Sequence, residues 1–154
     1  MFRSIACVFS LLLIGAFIGC GSDGGLRVEF VEGTVTLDGE PVAEASVTFV
    51  PTMDGQGTET AMGMTNERGV YRLSSMNGRP LAGAVAGEYK VLVSRITAES
   101  LTEGQEYGAA MGYTVPYRQT HHLPAIYRDP LNPQFTVTVN RGRNRLDFEL
   151  VSNP

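Results

Sequence analysis

From residue 32 to residue 51 the chain reads Glu-Gly-Thr-Val-Thr-Leu-Asp-Gly-Glu-Pro-Val-Ala-Glu-Ala-Ser-Val-Thr-Phe-Val-Pro. Two β-rich runs, 34–37 and 46–50, flank Asp38-Gly39, a dipeptide suited to the positive φ angles of a tight hairpin turn. The same grammar recurs to the end of the chain. Residues 61–65 lead to Asn66-Glu67-Arg68-Gly69 and then 70–73, and Gly-rich residues 83–88 lead into 89–96. Residues 135–139 lead through Asn140-Arg141-Gly142-Arg143-Asn144 to 146–150. Helices are poorly served by such punctuation, and 18 Gly and 8 Pro in 154 residues point the same way. The expectation is an all-β chain, an antiparallel β-sandwich of about seven short strands.

Alternation identifies the inward faces. Val47 and Phe49 form one set, Tyr71 and Leu73 another, and Tyr89, Val91 and Val93 a third. Phe135, Val137 and Val139 alternate with threonines. With Leu146, Phe148 and Leu150 they read as an amphipathic hairpin closing the fold. The first strand is less regular, since Val28 and Phe30 lie on the opposite parity from Val35 and Leu37. A slip is expected between them, with Gly33 as the natural bulge. Residues 97–126 form an irregular insertion ahead of the last two strands, where Gly104, Gly108 and Gly112 oppose a long helix. Long loops in compact domains tend to be functional or mobile.

The N-terminus has the grammar of a targeting segment. Arg3 precedes the apolar run 5–18, which at about 14 residues is short of the ~20 that span a bilayer. Phe17-Ile18-Gly19-Cys20 follows, then Gly21-Ser22-Asp23-Gly24-Gly25. A small residue before a cysteine, with a flexible polar tether after it, resembles the lipobox of bacterial lipoproteins. Phe17 stands where that family usually has Leu. The resemblance implies cleavage before Cys20, acylation of its thiol, and a membrane anchor of two or more acyl chains, where one alone holds weakly. Residues 1–19 are then a signal peptide, and 20–26 are the lipidated cysteine and tether. Cys7 is lost with the signal, so the mature chain keeps a single cysteine and no disulfide. Gly21 in place of Asp leans the sorting towards an outer-membrane address.

Three blocks carry a second resemblance. The first is Val31-Glu32-Gly33-Thr34-Val35-Thr36-Leu37-Asp38-Gly39-Glu40-Pro41 with the strand that follows it. The second is Asn66-Glu67-Arg68-Gly69-Val70-Tyr71-Arg72-Leu73, answered by Gly87-Glu88-Tyr89-Lys90-Val91. The third runs from Ile126-Tyr127-Arg128-Asp129-Pro130 to Leu146-Asp147-Phe148-Glu149-Leu150. Together they resemble carboxypeptidase regulatory-like domains, which share the transthyretin-like (prealbumin-like) sandwich, over residues 28–150. This implies one domain over 27–151, opened by an A–B hairpin, extracytoplasmic and non-catalytic.

The net charge of −4, with no basic cluster other than Arg141, Arg143 and Arg145, opposes nucleic-acid binding. His121-His122 is the one histidine pair. Neighbours in an extended segment point to opposite sides and cannot easily share a metal, so the pair reads as an exposed loop. Asp54-Gly55-Gln56-Gly57 lacks the nearby carboxylates a calcium loop needs. Lys90, the sole lysine, lies mid-strand and is unsuited to an isopeptide cross-link. No catalytic, cofactor or metal residues are expected. Tyr113, Tyr117, Arg118, His121 and His122 are candidates for an interaction surface, against the competing reading that they pin the insertion to the sandwich. The expected function is a lipid-anchored, extracytoplasmic β-sandwich with a binding or structural role at the cell envelope. Its expected partners are membrane lipid, through acylated Cys20, and an envelope protein or glycan. The alternatives are a small metal-dependent or other enzyme using 97–126, and a secreted subunit of a surface assembly.

Overall fold

The computed structural model describes residues 27–52, 59–75, 83–100 and 117–154. The strands are β1 (Val28–Leu37), β2 (Glu40–Pro41), β3 (Ser46–Pro51), β4 (Ala61–Met64), β5 (Val70–Arg72), β6 (Ser74–Ser75) and β7 (Ala84–Val85). They continue as β8 (Gly87–Ser94), β9 (Ile96–Ser100), β10 (Tyr117–His121), β11 (Phe135–Val139), β12 (Arg143–Arg145) and β13 (Phe148–Leu150), with one 3-10 turn at Ala125–Arg128. The chain is all-β, and two sheets pack around one core.

β1 is the spine of the first sheet. It pairs antiparallel with β7, β5 and β2 and parallel with β12 and β13. The second sheet is antiparallel throughout, in the order β11-β8-β3-β4-β6. Its inward residues are those expected from alternation: Val47, Phe49, Tyr89, Val91 and Val93 are at most 1% exposed. Tyr71 and Phe148 enter from the first sheet, and the Phe49 ring centroid lies 6.5, 5.7 and 6.1 Å from those of Tyr71, Tyr89 and Phe148. Aromatic rings in tilted and edge contact bury large apolar area and dominate such a core. Among the described residues the buried apolar side chains run from Val31 to Leu150.

Three expectations about connection need correction. Asp38 and Gly39 do take positive φ, 51° and 88°, but the hairpin they make joins β1 only to the two-residue β2. Runs 34–37 and 46–50 belong to opposite sheets, because the chain crosses over at residues 42–45 and β3 pairs with β4 and β8. Likewise 135–139 and 146–150 form no hairpin: β11 pairs with β8, and β13 pairs with β1. The Asn66–Gly69 turn also carries the chain between sheets. A turn dipeptide sets local direction, whereas the strand partner is set by which neighbour buries the apolar face.

Gly33 is the third correction. β1 runs unbroken, burying Glu29, Val31, Gly33 and Val35 on one face, so Val28 and Phe30 lie on the other face without any bulge. The irregularity sits in the neighbour. Between β12 and β13 the Leu146 carbonyl turns inward to accept the Tyr71 hydroxyl at 2.6 Å. A Cβ on residue 33 would collide with that carbonyl oxygen. In a strand, a glycine can mark a bulge or a close backbone approach, and here it marks the approach. Asp147 repairs the gap, its Oδ1 accepting from Thr34 N at 2.8 Å and from Thr34 Oγ1 at 2.9 Å.

The sandwich has two poles. At one, Val28 pairs with Val85, Gly87 with Val139, and Thr52 N donates to the Glu88 carbonyl. The chain enters here from its N-terminal segment. At the other pole, Leu37 pairs with Leu150, Ser46 pairs with Ser94, and Ser152 N donates to Asp38 Oδ1 at 3.1 Å.

Candidate functional site

β8 ends at Ser94, and after Arg95 the chain continues as β9 beyond the far pole. The expected strand 89–96 is thus two strands with a break at Arg95. β10 returns antiparallel to β9, so the described ends of the supposedly irregular 97–126 insertion are a regular two-stranded ribbon. The register places Tyr117 opposite Ser100, Gln119 opposite Ala98 and His121 opposite Ile96 on one face. Arg118 opposite Glu99 and Thr120 opposite Thr97 occupy the other. Residues 98–100 are strand.

All five residues of β10 are exposed. Tyr117 is 60% exposed and Ile96 44%. The exposure of Tyr117, Arg118 and His121 leaves these side chains accessible on the ribbon. His122 Nε2 lies 2.9 Å from Thr97 Oγ1, a bond internal to the ribbon. Adjacent strand residues project oppositely, and the two histidines do not converge. Among the described residues no group of three His, Cys, Asp or Glu side chains could hold a metal ion. Cys20 and Tyr113 lie outside the described residues, as do Asp54, Gly55, Gln56 and Gly57.

The base of the ribbon is built firmly. His122 N donates to the Arg95 carbonyl at 3.0 Å. Glu44, a non-glycine residue at φ 56°, brings its Oε2 to 3.9 Å from Arg95 Nη2. Left-handed backbone at a glutamate costs about 1–3 kcal/mol and persists only where surrounding bonds impose it. Here those bonds come from Thr65, whose carbonyl accepts from Glu44 N at 3.0 Å and whose Oγ1 accepts from Ala45 N at 2.8 Å. Beyond the ribbon, Leu123 and Tyr127 return to the core. The Tyr127 ring stacks on Phe135 at 5.8 Å, and its hydroxyl accepts from Val151 N at 2.9 Å.

Two further features escaped the sequence reading. On the outer face of the second sheet, Met62, Gly63, Met64, Ser46, Ser74 and Ser75 line an open groove of about 270 Å³. On the outer face of the first sheet, Phe30 lies under two guanidinium groups, with Arg143 Cζ at 5.0 Å and Arg72 Cζ at 5.9 Å from its ring centroid. The signal for the second was present. Val31, Gly33 and Val35 share a parity, which assigns Phe30, Glu32 and Thr34 to the outside. Two buried polar residues complete this end. Glu29 accepts from Gly142 N at 2.7 Å and pairs with Arg27 at 3.0 Å. Asn144 donates to the carbonyls of Phe30 and Asn140 and accepts from Asn140 N.

Ionisation follows the same division between sandwich and surface. Burial, helped by the Asp147 charge, pushes the Tyr71 hydroxyl well above the usual tyrosine value. Burial and then Glu59 raise Tyr89 as well. Both hydroxyls stay protonated donors, Tyr89 to the Val85 carbonyl at 2.8 Å. Slight burial of Asp147 works to raise its pKa, but bonds from Thr34 and Arg145 outweigh it and hold the carboxyl below the usual range.

No protein-family model, curated protein or solved structure matches the chain.

Proposed function

We propose that this chain is a lipid-anchored, extracytoplasmic β-sandwich, of the carboxypeptidase regulatory-like kind its sequence blocks resemble, with a non-catalytic binding role at the cell envelope. The observation that supports the reading is that β1, the described strand nearest Cys20 in sequence, begins at one pole while the β9–β10 ribbon leaves the other. β1 begins eight residues after Cys20, so an acylated Cys20 keeps that pole within about 28 Å of the bilayer even with the tether fully extended. The β9–β10 ribbon, with Tyr117, Arg118 and His121 exposed, leaves the other pole. An anchored molecule of this shape presents the ribbon away from the membrane. Tyrosine and arginine are the side chains through which exposed surfaces most often hold protein partners.

Two measurements test the parts separately. Labelling with a palmitate analogue in cells should mark the wild-type chain and spare Cys20→Ser; equal labelling would end the anchor. Cross-linking in intact envelopes should capture one defined partner, lost in a Tyr117→Ala/Arg118→Ala variant that keeps the wild-type melting temperature. Capture unaffected by that variant would remove the ribbon from the binding role.

A further inference from the structure

Charge is sorted along the sandwich. The far pole carries Asp38, Glu40, Glu44, Glu67, Asp129 and Glu149 against Arg68, Arg95 and Arg128. The entry-pole half of the first sheet's outer face, with the chain entry and the turn before β12, carries five arginines: Arg27, Arg72, Arg141, Arg143 and Arg145. Three carboxylates answer them. Glu29 holds Arg27 at 3.0 Å, Glu32 holds Arg72 at 3.4 Å, and Asp147 holds Arg145 at 3.2 Å. Glu59 and Glu88 lie on the other sheet's side. Arg141 and Arg143 are exposed and have no carboxylate partner among the described residues. In a chain of net charge −4 this is a local excess of positive charge.

Phe30 makes the patch more than a scatter of arginines. Its ring lies under Arg143 and within reach of Arg72 as well, a cation–π arrangement that holds a guanidinium over the ring. A guanidinium held in that way presents a planar fork of donors matched to phosphate oxygens. Glu29 and Asn144 fix the Asn140–Asn144 turn from beneath, so Arg141 and Arg143 stand on rigid backbone.

We infer that this face docks on the headgroups of anionic phospholipid in the membrane that carries the anchor. The inference rests on the anchored reading for its biological setting. Its physical basis is charge complementarity, together with the position of the patch at the pole where the short N-terminal segment joins. Docking would lay the entry pole against the bilayer and direct the acidic pole and the ribbon outward. Basic side chains next to an anionic leaflet each strengthen attachment, and the effect falls off within a Debye length.

The test uses the chain from residue 20 onward carrying Cys20→Ser, which cannot be acylated there, so that it reads the patch and not the anchor. Sedimentation with vesicles containing phosphatidylglycerol should exceed that with phosphatidylcholine alone by about tenfold at low ionic strength, and the excess should vanish in high salt. Arg141→Gln/Arg143→Gln should abolish the excess. Arg143→Lys should keep most of it, and Arg68→Gln/Arg128→Gln at the far pole should leave it intact. Equal or absent binding to the two vesicles would overturn the inference, as would equal loss in the far-pole variant. Displacement by inorganic phosphate at matched ionic strength would also overturn it, by assigning the site to a soluble anion. Equal palmitate labelling of wild type and Cys20→Ser in cells, with vesicle binding intact, would remove the anchor and leave the patch standing.

Discussion

The sandwich and its ribbon are built from the same kind of strand and held by different forces. In the sandwich the central strands β1, β3 and β8 have partners on both flanks and a second sheet against their inner faces, and Val35, Val47, Phe49, Tyr89 and Val93 have no exposure at all. In the ribbon β9 and β10 pair with each other, all of β10 faces solvent, and Thr97 and His122 supply its side-chain bond. A lone two-stranded ribbon is marginally stable in water, so this one persists because Arg95, Leu123 and Tyr127 fasten its base to the sandwich. The difference teaches where substitution is felt. Contacts through the core are shared and costly to lose, and contacts along the ribbon are local and free to serve a partner.

The strongest challenge to that contrast is Phe49→Ala. It removes a ring in contact with Tyr71, Tyr89 and Phe148 and should cost about 3–5 kcal/mol in denaturant unfolding. A cost near zero would mean that the two sheets do not share one core. Next comes Tyr71→Phe, which leaves the Leu146 carbonyl without its donor beside Gly33. The expected loss is about 1–2 kcal/mol, read from the same transition. A silent substitution would show that Leu146 is satisfied in some other way.

A smaller effect concerns acid. Asp147 has a folded pKa below its usual value of 3.8, so its contribution is fully present above the unfolded pKa and is lost as pH falls through the folded one. Wild type should therefore lose this increment only below about pH 4. Asp147→Asn, unable to hold Arg145 by charge, should show a shallower decline there while matching wild type in shape near neutrality. The side chain is 46% exposed, which keeps the difference small. Smallest of all should be Tyr117→Ala, within about 0.5 kcal/mol of wild type because it empties no core. A loss as large as that of Phe49→Ala would make the ribbon part of the sandwich and erase the contrast.

Much of the candidate site was legible at the level of residues and not of geometry. Tyr117, Arg118 and His121 stood out as polar and aromatic residues in a stretch with no clear period. The ribbon itself was hidden because Thr97, Ala98, Glu99 and Ser100 alternate no apolar face, and a strand that buries nothing leaves no period to read. The patch around Phe30 was missed for the opposite reason. A phenylalanine in a strand reads as core, and the guanidiniums that cover it come from residues 42 and 113 positions further along.

The chain alone determined its class and its inner faces. Alternation of Val47 with Phe49, and of Tyr89, Val91 and Val93, can be satisfied by extended backbone against a second apolar layer, and Asp38-Gly39 can turn the chain in the way it does. Only the tertiary structure decided which strands meet. The turn at residues 140–144 reads as that of a hairpin, yet it sends the chain across to the opposite sheet, as the turn at 66–69 does. A turn commits only a few residues, whereas pairing β11 with β8 and β13 with β1 covers a whole strand on both sides of the core. Gly33 belongs to the same lesson: its need for a hydrogen in place of a side chain comes from the Leu146 carbonyl, a neighbour that no local stretch of sequence contains.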